Sequence, residues 1–396
     1  MNTPTTPAAH PIWAMAFRPF YLLAALYGAL SVLAWGAGYN SAFGYTGTAA
    51  LPARFWHAHE MIWGYAGTLV VAFLLTAVAT WTKQPPVRGR FLMVLTGLWL
   101  AARAGIYLPD PVYGGIAGTL FYWLSAWGMG VSVWKSRNTR NYIAVFALFM
   151  LGTSQAAFHW HLRSSGFAAL DDGLFAGLMM VAGFIGLVGN RIISFFTSKK
   201  LNTVQVASPQ WLMLSTMLLP LAAAVLLMTQ TALPLAGVLA AAAGVVSCIQ
   251  SVRWFEKGIV REPLLWVLHA GYASAALGLL VMGIAMFQPV LRSLGVHLLA
   301  VGGIGLLTVG MITRTALGHT GRPLYPAPRF LPTAFLLMLA ATLLRALAAV
   351  LLLAGSATGY THSLRCSAVL FAASLLIYFV RYLPWLTRPR IDGKVG

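Results

Sequence analysis

Residues 55–80, FWHAHEMIWGYAGTLVVAFLLTAVAT, set the fold class of this chain. One acid, Glu60, stands near the start, and no further charged residue follows in the stretch. As a helix it is long enough to cross a ~30 Å hydrocarbon core. Its first turns carry His57, His59 and Glu60, so ligand-type side chains sit at one end of an apolar rod. Imidazole is the commonest metal ligand, and a histidine at membrane depth is costly without a partner. A second pair, His159 and His161 around Trp160, closes another apolar run.

The same pattern extends along the whole chain. Of 396 residues, 59% are hydrophobic and 8% charged, where soluble domains carry about 25% charged. Twelve spans are predicted, at about 17–38, 55–80, 90–109, 112–134, 141–163, 172–196, 209–229, 232–252, 263–287, 292–313, 331–355 and 366–386. The expected fold is an all-α polytopic membrane bundle, a single integral membrane domain over 1–396. Its principal partner is the lipid bilayer. The polar 197–208 segment marks a midpoint between two six-helix halves, about 1–200 and 201–396.

The formal net charge of +19 invites a nucleic-acid reading, but its distribution excludes one. Basic residues fall in alternate loops: Lys83, Arg88 and Arg90; Lys135, Arg137 and Arg140; Arg191, Lys199 and Lys200. Arg253, Lys257 and Arg261 follow, then Arg314, Arg322 and Arg329, and the tail holds Arg388, Arg390 and Lys394. The intervening loops hold Arg54, Arg163, Arg292 and Arg365. This positive-inside pattern places both termini in the cytoplasm. The first span has no basic region before it and is expected to be retained. Cys248 and Cys366 lie on distant spans and no Cys-x-x-Cys-His occurs, so covalent haem and thiolate metal sites are excluded.

That topology puts His57, His59 and Glu60 at the outer end of span 2, and His159 and His161 at the outer end of span 5. His297, about one turn down span 10, joins the same outer layer. Residues two apart on a helix point about 200° from one another, so the members of each His-x-His aim at different centres. Glu60 stands three residues from His57, where it can orient that imidazole, and Gln155 shares a face with His159. His269 and His319 lie toward the inner side, as a second candidate site. Arg103 in span 3 and Arg345 in span 11 require anionic partners or a polar cavity. Asp110, Asp171 and Asp172 are the outer-side acids, and haem propionates are alternative partners for Arg54, Arg103 and Arg163. His10 and His362 read as solvated. Trp56, Trp63, Trp81, Trp99, Trp134 and Trp385 near span ends read as an interfacial belt, and Gly183, Gly186, Gly189, Gly302, Gly305 and Gly310 as close helix packing.

Two classes compete on these residues: a metal-bearing redox or response protein, and a transporter using histidines as proton or copper relays. A haem–copper oxidase core would need adjacent histidines on one helix and a late His-x-His, and neither is present. The longer motifs are Phe17-Arg18-Pro19-Phe20, Trp56-His57-Ala58-His59-Glu60-Met61 with Gly64, Leu74-Leu75-Thr76 and Trp81-Thr82. After them come His159 and His161, Gly189-Asn190-Arg191, Thr313-Arg314, and Leu317-Gly318-His319-Thr320-Gly321-Arg322-Pro323. On these the chain resembles the NnrS family of bacterial haem- and copper-containing membrane proteins linked to nitric oxide. The resemblance implies an inner-membrane protein of the nitric oxide response, with non-covalent b-type haem and copper as cofactors and nitric oxide as ligand. It also implies a functional role for His319. It leaves open the redox partner, any turnover, and which of His57, His59, His159, His161, His297, His319 and His269 holds which metal.

Overall fold

A computed structural model describes residues 10–393 apart from 43 and 49, so Lys394 of the basic tail lies outside the described residues. It has twelve long helices and, among the described residues, no strand. They are α1 Phe17–Ala37, α2 Ala53–Thr82, α3 Arg90–Gly105, α4 Val112–Lys135, α5 Thr139–Ser164 and α6 Leu170–Leu201. Then follow α7 Gln210–Met228, α8 Leu233–Arg253, α9 Pro263–Ala285, α10 Pro289–His319, α11 Leu331–Leu353 and α12 Ala357–Leu386. Eleven are long and apolar enough to cross a bilayer, and only α3 is shorter. The chain is a multi-pass membrane protein.

All twelve predicted spans are helices, but three boundaries moved by five residues or more: α6 runs on to Leu201, into the polar segment expected between the halves, and the other two involve histidines. Helix α10 continues to His319, so that histidine ends a helix and does not lie on a loop. The extension is held by Arg314, whose guanidinium donates to Tyr325 Oη at 3.0 Å and stacks 4.0 Å from the centre of the Phe196 ring. Helix α12 begins nine residues before the expected start, because Ser356 caps it by accepting from the Gly359 N–H. His362, expected in a loop, is therefore an exposed residue on a helix.

Most helices consecutive in the chain pack as neighbours, α3 reaches α2 through the Trp99 and Arg103 side chains, and α1 returns against α12. The centre belongs to α2 and α6, whose apolar windows are 78% and 83% buried, whereas α11 is buried over only 33%. Small residues permit the close approaches: a Cβ at Gly186 would collide with the Thr216 carbonyl of α7. The tryptophan belt needs correction. Trp134 is exposed, but Trp56, Trp63 and Trp99 are buried inside the bundle.

Three helices are interrupted by π-helical turns, at Leu33–Ala37 in α1, Glu60–Ala66 in α2 and Leu298–Gly305 in α10. The last two start directly after a histidine, His59 and His297. A π turn holds one extra residue, shifts every side chain beyond it, and recurs at functional sites. The first two lie toward the end of the bundle opposite the termini, and the third runs into the middle of α10. Reporter fusions test which side of the membrane that end faces. Fusions after residues 86, 138 and 202 are expected in the cytoplasm, and those after 47, 166 and 231 in the periplasm. A reversed reporter at 138 or 166 would overturn the assignment.

Candidate metal centre

Helix α2 enters the bundle with its histidines diverging. The His57 ring stacks on Trp35 of α1, with centroids 5.6 Å apart and planes inclined by 24°. His59 turns the other way, toward α5, and is 1% exposed. There its Nε2 stands 3.1 Å from His159 Nε2. His59 Nδ1–H donates to Glu60 Oε1 at 2.7 Å, which leaves its Nε2 lone pair directed at His159. Gln155, one turn before His159, brings its amide nitrogen to 3.5 Å from the same His59 nitrogen.

Glu60 is fully buried and serves three partners. Besides His59 it ion-pairs with Arg103 Nε of α3 at 2.7 Å and accepts from the Tyr27 hydroxyl of α1 at 2.5 Å. This corrects two expectations. Glu60 orients His59 and not His57: its carboxylate, held by Arg103 and Tyr27, meets the adjacent His59 ring, while the His57 ring stacks on Trp35. Arg103 is matched by a protein carboxylate and needs no propionate. Arg54 and Arg163 also find protein acids: Arg54 pairs with Asp171 at 3.2 Å and Arg163 with Asp110 at 3.5 Å, both on the exposed rim.

The walls are shaped around this pair. Trp63 and Phe158 hold the His59 ring, with centroids 5.1 and 5.3 Å away. On the far side α4 comes so close that a Cβ at Gly115 would lie 2.5 Å from the His159 ring. At Gly118 a Cβ would collide with the Gln155 amide. Neither glycine stood out in the sequence, since their role appears only when α4 and α5 are packed.

The remaining histidines separate. His297 of α10 directs Nδ1–H to the Ser293 carbonyl at 2.8 Å, which leaves Nε2 as its ligand atom. Arg345 of α11 lies within electrostatic reach of both His57 and His297, so these two form a second outer group. His161 points to α7, its Nε2 bonding the Met228 carbonyl at 3.0 Å, and joins neither group. Toward the opposite end, His269 bonds Thr197 Oγ1 at 2.9 Å and His319 packs 5.4 Å from the Phe17 ring. Their partners differ. His10 Nδ1 accepts the Ile12 N–H at the start of a short turn.

Among the described residues no group of three or more His, Cys, Asp or Glu converges as a metal cage. The His59–His159 pair nevertheless fits one ion. Two nitrogens bound side by side at ~2 Å stand about 3 Å apart, whereas axial ligands across a haem iron stand about 4 Å apart. The 3.1 Å separation, which without metal is an N–H···N hydrogen bond between the rings, is compatible with the first arrangement. The unpartnered Oε1 of buried Gln155 is a further donor beside it. Imidazole donors with a carboxylate on the outer ring nitrogen are a donor set for copper or zinc.

No curated protein matches the chain at a significant level. The NnrS protein family matches it over residues 11–390 of 396, from before α1 to beyond α12. The span includes every helix and every histidine discussed except His10, and the chain belongs to the NnrS family.

Proposed function

We propose that this protein is a haem- and copper-binding protein of the inner membrane that acts in the nitric oxide response. Family membership supports a nitric oxide-response membrane protein in general. The finer reading rests on one observation: His59 and His159 bring their Nε2 atoms to 3.1 Å inside a buried wall, with Glu60 holding the other nitrogen of His59. This pair is the copper site of the proposal. His57 and His297, on the two helices that turn π-helical within a few residues, are its haem ligands.

Bound haem supplies an iron that takes nitric oxide, and copper supplies a one-electron partner. The chain's own residues orient and shield. Ser293 fixes the His297 ring, Trp35 backs His57, and Trp63 with Phe158 keeps water from His59. At the last turns of the two π segments, Ala66 and Ile304 open onto an apolar cavity of about 110 Å³ between α1, α2, α6 and α10. Nitric oxide is a small ligand with little polarity, and such a cavity offers it a path from the hydrocarbon.

The test joins cells and spectra. Cells lacking the protein are expected to grow normally without nitric oxide and poorly when exposed to it, with rescue by the wild type but not by His59→Ala. Purified protein is expected to show a haem spectrum that changes with nitric oxide, and copper by metal analysis. Protein with no haem and no spectral response would favour a carrier using the histidines as relay sites.

A further inference from the structure

Arg345 is a charge that the protein does not neutralise. It lies on α11 between Leu343 and Leu347, which are 63% and 45% exposed on the lipid-facing side, while Arg345 itself is 7% exposed. Residues two apart face opposite sides of a helix, so its guanidinium is directed into the bundle and away from lipid. Nη2 donates to Ser293 Oγ at 2.9 Å, and Nη1 is buried without an acceptor.

The seven acids of the chain are all engaged elsewhere. Glu60 pairs with Arg103, Asp110 with Arg163, Asp171 with Arg54 and Arg292, Glu262 with Lys200 and Asp392 with Arg390. Glu256 accepts from Thr203, and Asp172 neighbours Gln230 and Arg292. A guanidinium buried at this depth favours oxygen acceptors, an anion above all, and its planar fork matches two oxygens at once. Its neighbours His57 and His297 are imidazoles, and Nδ1 of His57 is also buried without a partner. The two outer groups thus differ in charge. One has a carboxylate under its histidines that Arg103 balances. The other has a guanidinium with no carboxylate beside it and favours an anion.

We propose that Arg345, with Ser293 and His57, binds a two-oxygen monoanion: a carboxylate or the isosteric nitrite. The carboxylate comes either from a bound cofactor, a haem propionate in the reading above, or from solution. Neither source requires metal at His59 and His159.

The experiment uses full-length protein in detergent, from cells grown with and without a haem precursor, titrated calorimetrically with sodium formate and with sodium nitrite against a constant chloride background. Haem-depleted wild type is expected to bind one formate per chain, and Arg345→Gln to weaken it at least about tenfold. Loss of formate binding on haem loading assigns the site to a cofactor carboxylate, and retained binding assigns it to a free anion. Should Arg345→Gln fail to fold, Arg345→Lys keeps the charge, loses the fork and is expected to bind formate more weakly than wild type. Haem-depleted wild type that binds neither anion overturns the proposal, as does binding unaffected by either substitution. If the protein takes up no haem at all, the haem reading fails, while formate binding sensitive to Arg345 still supports the anion site.

Discussion

Protein carrying His59→Ala and His159→Ala together is expected to insert and purify without bound copper, while retaining haem. The two imidazoles supply both convergent nitrogens at 3.1 Å, and His57 and His297 face other neighbours. Loss of a single outer partner of a ligand typically costs 10–100-fold in metal affinity, and loss of a ligand itself should exceed that. Each single substitution should therefore lower copper affinity by more than about 100-fold. The double variant also loses the hydrogen bond between the two rings, the charge-assisted bond from His59 to Glu60 and the packing of two buried rings. Its thermal midpoint should therefore fall, while the pairing of Glu60 with Arg103 is kept. The reciprocal pair, His57→Ala with His297→Ala, is expected to remove haem and leave copper. Metal analysis and reduced-state optical spectra read both. Copper and haem fully retained in the fourfold variant would return all four histidines to a packing role.

How far the sequence led is clearest at Glu60. Its place beside the histidines and its scarcity as an acid were visible, because composition and the span pattern isolate it. Its partner was not. Helical spacing alone offers it to His57, and what gives it to His59 is the set of partners that fix its carboxylate, Arg103 of α3 and Tyr27 of α1, which lie far away in the sequence. The twelve spans were legible because lipid demands long apolar runs and internally bonded backbone. Tyr27, Trp35 and Ser293 were not, since their roles depend on contacts between helices distant in sequence. Arg345 stood out as a charge in an apolar span, and only the packed structure shows that no acid reaches it.

The ion pair beneath His59 carries the largest stability effect expected in the bundle. Glu60 is fully buried and Arg103 nearly so, 2.7 Å apart, with Tyr27 donating to the same carboxylate oxygen as the arginine. Desolvation offsets much of what such a pair gains, so its net worth is small. Breaking it is another matter, because an uncompensated charge remains inside, at a cost of about 3–5 kcal/mol. Glu60→Gln keeps the shape, removes the charge and leaves the Arg103 guanidinium facing a neutral amide. It is expected to lower the thermal midpoint in detergent sharply and to weaken copper binding 10–100-fold through the lost hold on His59. Adding Arg103→Met to that variant should restore most of the stability, since the stranded charge is gone, but none of the copper affinity. That split separates the two roles of Glu60. A single variant as stable as wild type, or a double variant no more stable than the single, would show that Arg103 is solvated and that Glu60 acts on His59 alone.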